Sequence, residues 1–270
     1  MRDLMTRAGK YFNLLCLFSA AIIFLDFTPI GEDVRTGQFL PLLRLESGAA
    51  AKTIVSDGFG SFKESSSLTL ADSTRFNFLY DSLGLDSLDL SQEAYQKAIR
   101  GYLMMQMAGE IRNPAVLSII DYSLPSSRKR LFVLDMLNGR LLFNTLVSHG
   151  RNSGQLMATR FSNRNNSYMS SIGFYITGDA YMGEHGYSLR LIGEEKGLND
   201  NVYRRAIVMH PADYVSEEHI RETGYLGRSE GCPAIPNGLN KPIIGKIRGG
   251  SCLYVFGPDK KIVHKSRILS

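Results

Sequence analysis

The sequence of 270 residues predicts a mainly β domain with short helices, preceded by a small helical segment. Three observations lead there. From Pro114 onward the chain breaks into short runs rich in branched and aromatic residues, separated by turn signals. Those runs do not alternate with long helical patterns, which argues against a doubly wound parallel sheet. Before Pro114, apolar residues recur at helical spacing instead.

Residues 1–27 open with Arg2, Arg7 and Lys10 ahead of an apolar run from Tyr11 to Leu25, interrupted only by Asn13 and Ser19. A basic start followed by a short apolar stretch reads as an export signal. The run falls short of the roughly 20 residues a transmembrane helix needs. Asp26-Phe27-Thr28-Pro29 offers no clean small-x-small cleavage site, so a signal peptide, an uncleaved anchor and a buried core helix all stay open. Residues 28–90 read as a loose lead-in, Ser-rich at Ser56, Ser61 and Ser65-Ser66-Ser67, with one helix. In that helix Phe76, Leu79, Tyr80 and Leu83 share a face, and Gly84 marks its stop.

Residues 91–270 form the expected main domain. Ser91 is a plausible N-cap for a helix running to about Ala108, with Tyr95, Ala98, Ile99, Tyr102 and Leu103 on its apolar face. Strands are expected at Val116–Tyr122, Leu131–Leu137 and Leu141–Val147, the last two joined by the hairpin cue Asn138-Gly139. More follow at Ile172–Thr177, Ser188–Ile192, Arg205–Met209 and Leu253–Phe256, with one short helix at Ser216–Ile220.

Composition bounds the function. At 44% apolar and 21% charged, the chain is neither disordered nor a multi-pass membrane protein. The net charge of +5 suits an anionic polymer or a membrane surface and equally suits solubility, while no Lys/Arg cluster points to nucleic acid.

The chemistry centres on the cysteines. Cys16 lies in the export segment, leaving Cys232 and Cys252, which an oxidising compartment could join as a disulfide. Against that stands the setting of Cys232 in Gly227-Arg228-Ser229-Glu230-Gly231-Cys232-Pro233. Gly231 permits an unusual backbone conformation, Pro233 fixes the chain after it, and Ser229 offers a hydroxyl. A thiol on such a turn has neighbouring N–H groups, those of Gly231 and Cys232, to hold an oxyanion. It also needs a base, and His210, ending an apolar strand upstream, is the best of five histidines. His219 sits beside glutamates on a solvated helix face, and His264 lies in a basic tail. His149-Gly150 and His185-Gly186 could line a cleft. Arg190 and Arg228 could bind carboxylates by a planar fork, or form surface ion pairs. Cys232 with one His is not a zinc set, and no metal or cofactor is expected.

His210-Pro211 followed by Ser229-Glu230-Gly231-Cys232 resembles the L,D-transpeptidase (YkuD-type) catalytic-domain family, whose signature is His and then Ser/Thr-x-Gly-Cys. Val147–Gly154, Ser170–Tyr175, His185–Leu191 and Gly227–Ala234 resemble a divergent murein branch, so the likeness covers roughly residues 90–257. It implies a β-sandwich catalytic domain acting on peptidoglycan stem peptides outside the cytoplasm, with Cys232 as nucleophile and His210 as base. The Pro211 carbonyl would orient the imidazole. Two departures stand out: Glu230 and Pro233-Ala234 replace the His and Arg that many members carry around Gly-Cys, and Pro211 replaces the Gly that often follows the upstream His.

Overall fold

The computed structural model describes residues 75–258 and 265–269. The expected export segment, Cys16, most of the lead-in and His264 lie outside the described residues. Among the described residues, no helix is long and apolar enough to cross a membrane.

Residues 75–82 are helical (α1), and Gly84 follows at φ 57° where the helix was expected to stop. Gln92–Met107 (α2) begins as expected: the Ser91 hydroxyl accepts the Ala94 N–H, satisfying one of the donors a helix start leaves open. Phe76, Leu79, Tyr80, Leu85 and Leu90 are buried in one core with the inner face of α2. Packing therefore continues upstream of the boundary placed at residue 91.

Among the described residues eight strands follow, six before the next helix and one after each of two short helices. Val116–Asp121 (β1), Leu131–Asp135 (β2) and Arg140–Thr145 (β3) form a meander. Gly173–Gly183 (β4) and Gly186–Gly193 (β5) make a long hairpin that outruns both predicted strands. Val208–Pro211 (β6) precedes a short helix, Glu217–Thr223 (α3), capped by Ser216. Ala234–Ile235 (β7), Asn240–Ile247 (α4) and Cys252–Phe256 (β8) complete the order.

The strands join one mixed sheet in the order β3-β2-β1-β8-β4-β5-β6-β7, parallel only at β1–β8 and β6–β7. The chain leaving β3 then meets the opposite edge. Ser148 N–H donates to the Ala234 carbonyl (2.8 Å) and Ser229 N–H to the His149 carbonyl (3.0 Å). The sheet thus curls toward closure, and the chain leaving β3 covers the β7 edge.

Both faces are buried, which is why β1, β2 and β8 read as near-continuous apolar runs. Alternate residues feed separate cores: Cys252, Tyr254 and Phe256 pack with α1 and α2, whereas Leu253 and Val255 pack with α4.

Two elements differ from expectation. Arg205–Ile207 is not strand, because Ala206 adopts φ 52° and the N–H groups of 205–207 bond back into the 201–203 turn. Helix α4, which contains Pro242, was not expected. Proline is tolerated there because it falls within the first turn, where no intrahelical donor is needed.

Candidate active site

The turn carrying Cys232 is built by Ser229. Its hydroxyl donates to the Cys232 carbonyl (2.6 Å) and accepts the Gly231 N–H (3.1 Å). This corrects one expectation, since the Gly231 N–H is occupied and is not a free oxyanion donor. Gly231 itself is required, with φ 126° and no room for a side chain. A Cβ there would lie 2.7 Å from the Met169 carbonyl oxygen. Gly150 backs the turn just as closely, a Cβ there meeting the Gly231 Cα at 2.9 Å. Ser170 ties the pieces together, its hydroxyl accepting the Gly150 N–H (3.0 Å) and donating to the Gly231 carbonyl (3.2 Å). Three segments distant in sequence thus converge on one thiol.

The thiol is half-buried against β6. Val208 N–H donates to Cys232 Sγ (3.5 Å), and Sγ–H points toward the Ala206 carbonyl (3.8 Å). Burial pushes the thiol above its ordinary pKa, opposed by the Val208 N–H and the Arg205 guanidinium. Strand β6 carries His210 one pleat repeat beyond Val208, and His210 pairs with Ala234 in register, two residues after Cys232. Cys232 lies two residues before β7, and no direct hydrogen bond joins it to His210.

His210 is nearly buried and its ring is held on two sides. Nδ1–H donates to the Pro211 carbonyl (2.9 Å), since a carbonyl can only accept. That leaves Nε2 unprotonated and able to take a proton. The His185 ring stacks on it at 4.5 Å. His185 reaches there because Glu184-His185 forms the two-residue loop of the β4–β5 hairpin. Burial first, and then His185, holds the His210 pKa below the ordinary imidazole value, so the ring is neutral near pH 7.

The remaining predicted site residues are dispersed. His149 does not line the cleft; it is fully buried behind the turn, its Nδ1 accepting from Arg130 Nη2 (2.7 Å) and Nε2–H facing the Gly154 carbonyl (3.3 Å). Burial and the Arg130 charge push its pKa down to about 3. Arg228 donates to the Gly154 carbonyl (3.1 Å), which engages part of its fork in holding the 151–154 loop. Arg190 is exposed over the Tyr181 ring (4.5 Å), on the strand next to β6. Cys232 and Cys252 are both free thiols and belong to cores on opposite sheet faces, so the alternative disulfide is not formed.

Two arginines were not anticipated. Arg130, fully buried, donates to the carbonyls of Val147 and Leu124 and lies 4.8 Å over Tyr122. Arg205 donates to the Ser162 carbonyl (2.8 Å) and to the Ser171 hydroxyl (2.6 Å). Both sit in basic doublets or triplets that read as solvated surface, and no local signal separates them from their neighbours. Among the described residues, no three His, Cys, Asp or Glu side chains gather where they could hold a metal ion.

A half-buried thiol held by the Val208 N–H, with an oriented imidazole on the same strand at His210, makes a site suited to nucleophilic chemistry. Residues 86–256 match the family described as L,D-transpeptidase catalytic domain, and the chain belongs to that family. No curated protein matches it in sequence. Among solved structures it is similar to an L,D-transpeptidase from Mycobacterium smegmatis, at 13% identity and TM-score 0.33, over 53% of this chain and 59% of that one. It is also similar to a helical cell shape determining protein from Campylobacter jejuni, at 12% identity and TM-score 0.37, over 63% and 62% of the two chains. An L,D-transpeptidase from Xylanimonas cellulosilytica matches at 14% identity and TM-score 0.31, over 53% and 60%. The chain spans less than two thirds of each of these proteins.

Proposed function

We propose that this protein is a cysteine-dependent peptidoglycan L,D-transpeptidase that works through an acyl-enzyme on Cys232. The observation that carries the reading is the strand pair β6–β7. Its Val208 N–H donates to the Cys232 sulfur, and one pleat repeat further on it carries His210, whose tautomer the Pro211 carbonyl fixes. His210 Nε2 takes the Cys232 proton, and the thiolate attacks the carbonyl of the L-centre–D-Ala bond in a tetrapeptide stem. With the Gly231 N–H engaged by Ser229, the Cys232 N–H is the oxyanion donor. The C–N bond breaks as His210 returns its proton to the departing D-Ala amine. An amine of a neighbouring stem then gives a proton to His210 and attacks the thioester. The new amide forms, and the sulfur leaves as thiolate.

Export is part of the proposal. It rests on the basic and then apolar N-terminal segment, cleaved or retained as an anchor, and it puts the domain where peptidoglycan is made. Incubation with purified tetrapeptide muropeptides tests the reaction. Cross-linked dimers are the expected product, tripeptide alone would mean that water is the acceptor, and unchanged tetrapeptide would remove the proposal.

A further inference from the structure

The Arg205 guanidinium is drawn in behind the thiol turn and meets no carboxylate there. Its Nη1 donates to the Ser162 carbonyl (2.8 Å) and the Ser171 hydroxyl (2.6 Å). Its Nη2 donates to the Met169 carbonyl and the Ser167 hydroxyl (3.2 Å). Every one of these acceptors is neutral, and among the described residues no Asp or Glu pairs with it. A cation withdrawn from water is normally matched by an anion, because neutral acceptors replace its hydration only in part.

The local backbone holds this cation in place against its own preferences. The N–H groups of 205, 206 and 207 bond back to the carbonyls of Asn201, Tyr203 and Val202, and Ala206 takes φ 52°. In the loop that receives the guanidinium, Asn166 takes φ 55° and Tyr168 54°. Residues other than glycine persist there only where surrounding contacts over-determine them. Ala206, the strained residue after Arg205, is also the one whose carbonyl faces Sγ at 3.8 Å.

The missing anion lies on the thiol turn. A Cβ on Gly231, the residue before Cys232, would lie 3.0 Å from Arg205 Nη2, so the guanidinium packs directly against the backbone that carries the sulfur. The influence runs both ways: Arg205 opposes the rise that burial imposes on the thiol, and Cys232 opposes the fall that burial imposes on Arg205. The other groups facing the sulfur do not supply a positive charge in the free enzyme. Glu230 pushes the thiol pKa up, and it is drawn toward Arg151 (3.5 Å). Tyr122 and Tyr214 are pushed up to about 12 and stay neutral. His210 is neutral until it takes the thiol proton.

We propose that Arg205 is the counter-charge of the Cys232 thiolate, a positioning residue that favours transfer of the Sγ proton to His210 Nε2. The inference rests on Cys232 being the nucleophile of the proposed reaction, and it concerns the thiol before any peptide arrives.

Alkylation of the full chain by iodoacetamide tests it, since that reagent is uncharged and is not itself steered by Arg205. The rate at Cys232 is followed across pH by the mass of its peptide, and the melting temperature of each variant is recorded. In Arg205→Gln the midpoint of the profile should rise by about one pH unit or more. Arg205→Lys, which keeps the charge, should abolish most of that rise. The double variant Ser167→Ala/Ser171→Ala, which loosens the hydrogen bonds and keeps the charge, should titrate as the wild type does. An unshifted midpoint in Arg205→Gln overturns the inference, and so does an equal rise in the lysine or the serine variant. Should Arg205→Gln fail to fold, Arg205→Lys decides: a midpoint near that of the wild type supports the inference, and a rise of a full unit overturns it. D-Ala release from a tetrapeptide, measured in parallel, keeps the two readings apart. A wild type that releases none removes the transpeptidase reading and leaves the thiol titration standing, whereas an unshifted titration removes only the role of Arg205.

Discussion

At the scale of single residues, the chemistry depends on keeping one imidazole neutral and aimed. His210 donates Nδ1–H to Pro211, and its pKa is held down by burial and by the stacked His185. Replacing His185 by Ala removes a competing charge and opens the ring to water, and both effects raise the His210 pKa. The acid limb of the kcat/KM profile should therefore move to higher pH in His185→Ala. A limb that stays in place or moves down would mean that His185 does not tune the base. His149 answers a different question. Its folded pKa of about 3 lies below the unfolded value near 6.5, so the unfolded chain binds the extra proton between those values. Stability is full above pH 6.5 and is lost as pH falls, by roughly 3 kcal/mol at pH 4. His149→Gln, which keeps an acceptor for Arg130 but does not titrate, should lose less stability between pH 7 and 4, as read by chemical denaturation. Equal acid sensitivity in the two proteins would remove His149 as its source. The turn at Ser229–Cys232 and the place of His210 on a strand were legible in the sequence because glycine and the apolar run mark them locally. The burial of His149 was not legible, since it depends on Arg130, a residue 19 positions upstream.

At the scale of elements, the sheet and the helices fix where those side chains point. Gly101 lets α2 press onto β4. A Cβ at that position would lie 2.0 Å from Phe174 Cζ, and Phe174 is itself buried and stacked on Tyr254 at 4.3 Å. Alanine in a helix gains about 1 kcal/mol over glycine, but overpacking a closed core costs about 1–3 kcal/mol. Because neither ring has room to yield, the clash wins, and Gly101→Ala should lower the denaturation midpoint. A raised midpoint would show that α2 can shift away from the sheet. Helices α1, α2 and α3 and the Asn138-Gly139 hairpin were readable because cap and turn residues act locally. Strand β7 and the true start of β6 were not. Two paired residues leave no periodicity to read, and the left-handed Ala206 is held by tertiary contacts rather than by its own preference.

At the scale of the molecule, one curled sheet separates two cores and brings 147–154, 168–171 and 227–234 together around a single thiol. The alternation that makes the sheet stable also puts Cys252 in the core behind α2, away from the cleft and fully buried. The mainly β class followed from strand-like runs without intervening long helices. Closure of the sheet did not, because it rests on hydrogen bonds between segments some 80 residues apart, such as His149 with Ser229. The central claim is that Cys232 alone carries the acyl group. Intact-mass analysis after incubation with a tetrapeptide stem or a carbapenem, with the adduct mapped by peptide, measures it directly. The account predicts one adduct, on Cys232, absent from Cys232→Ser and retained in Cys252→Ser. Equal capture by the wild type and Cys232→Ser would contradict it.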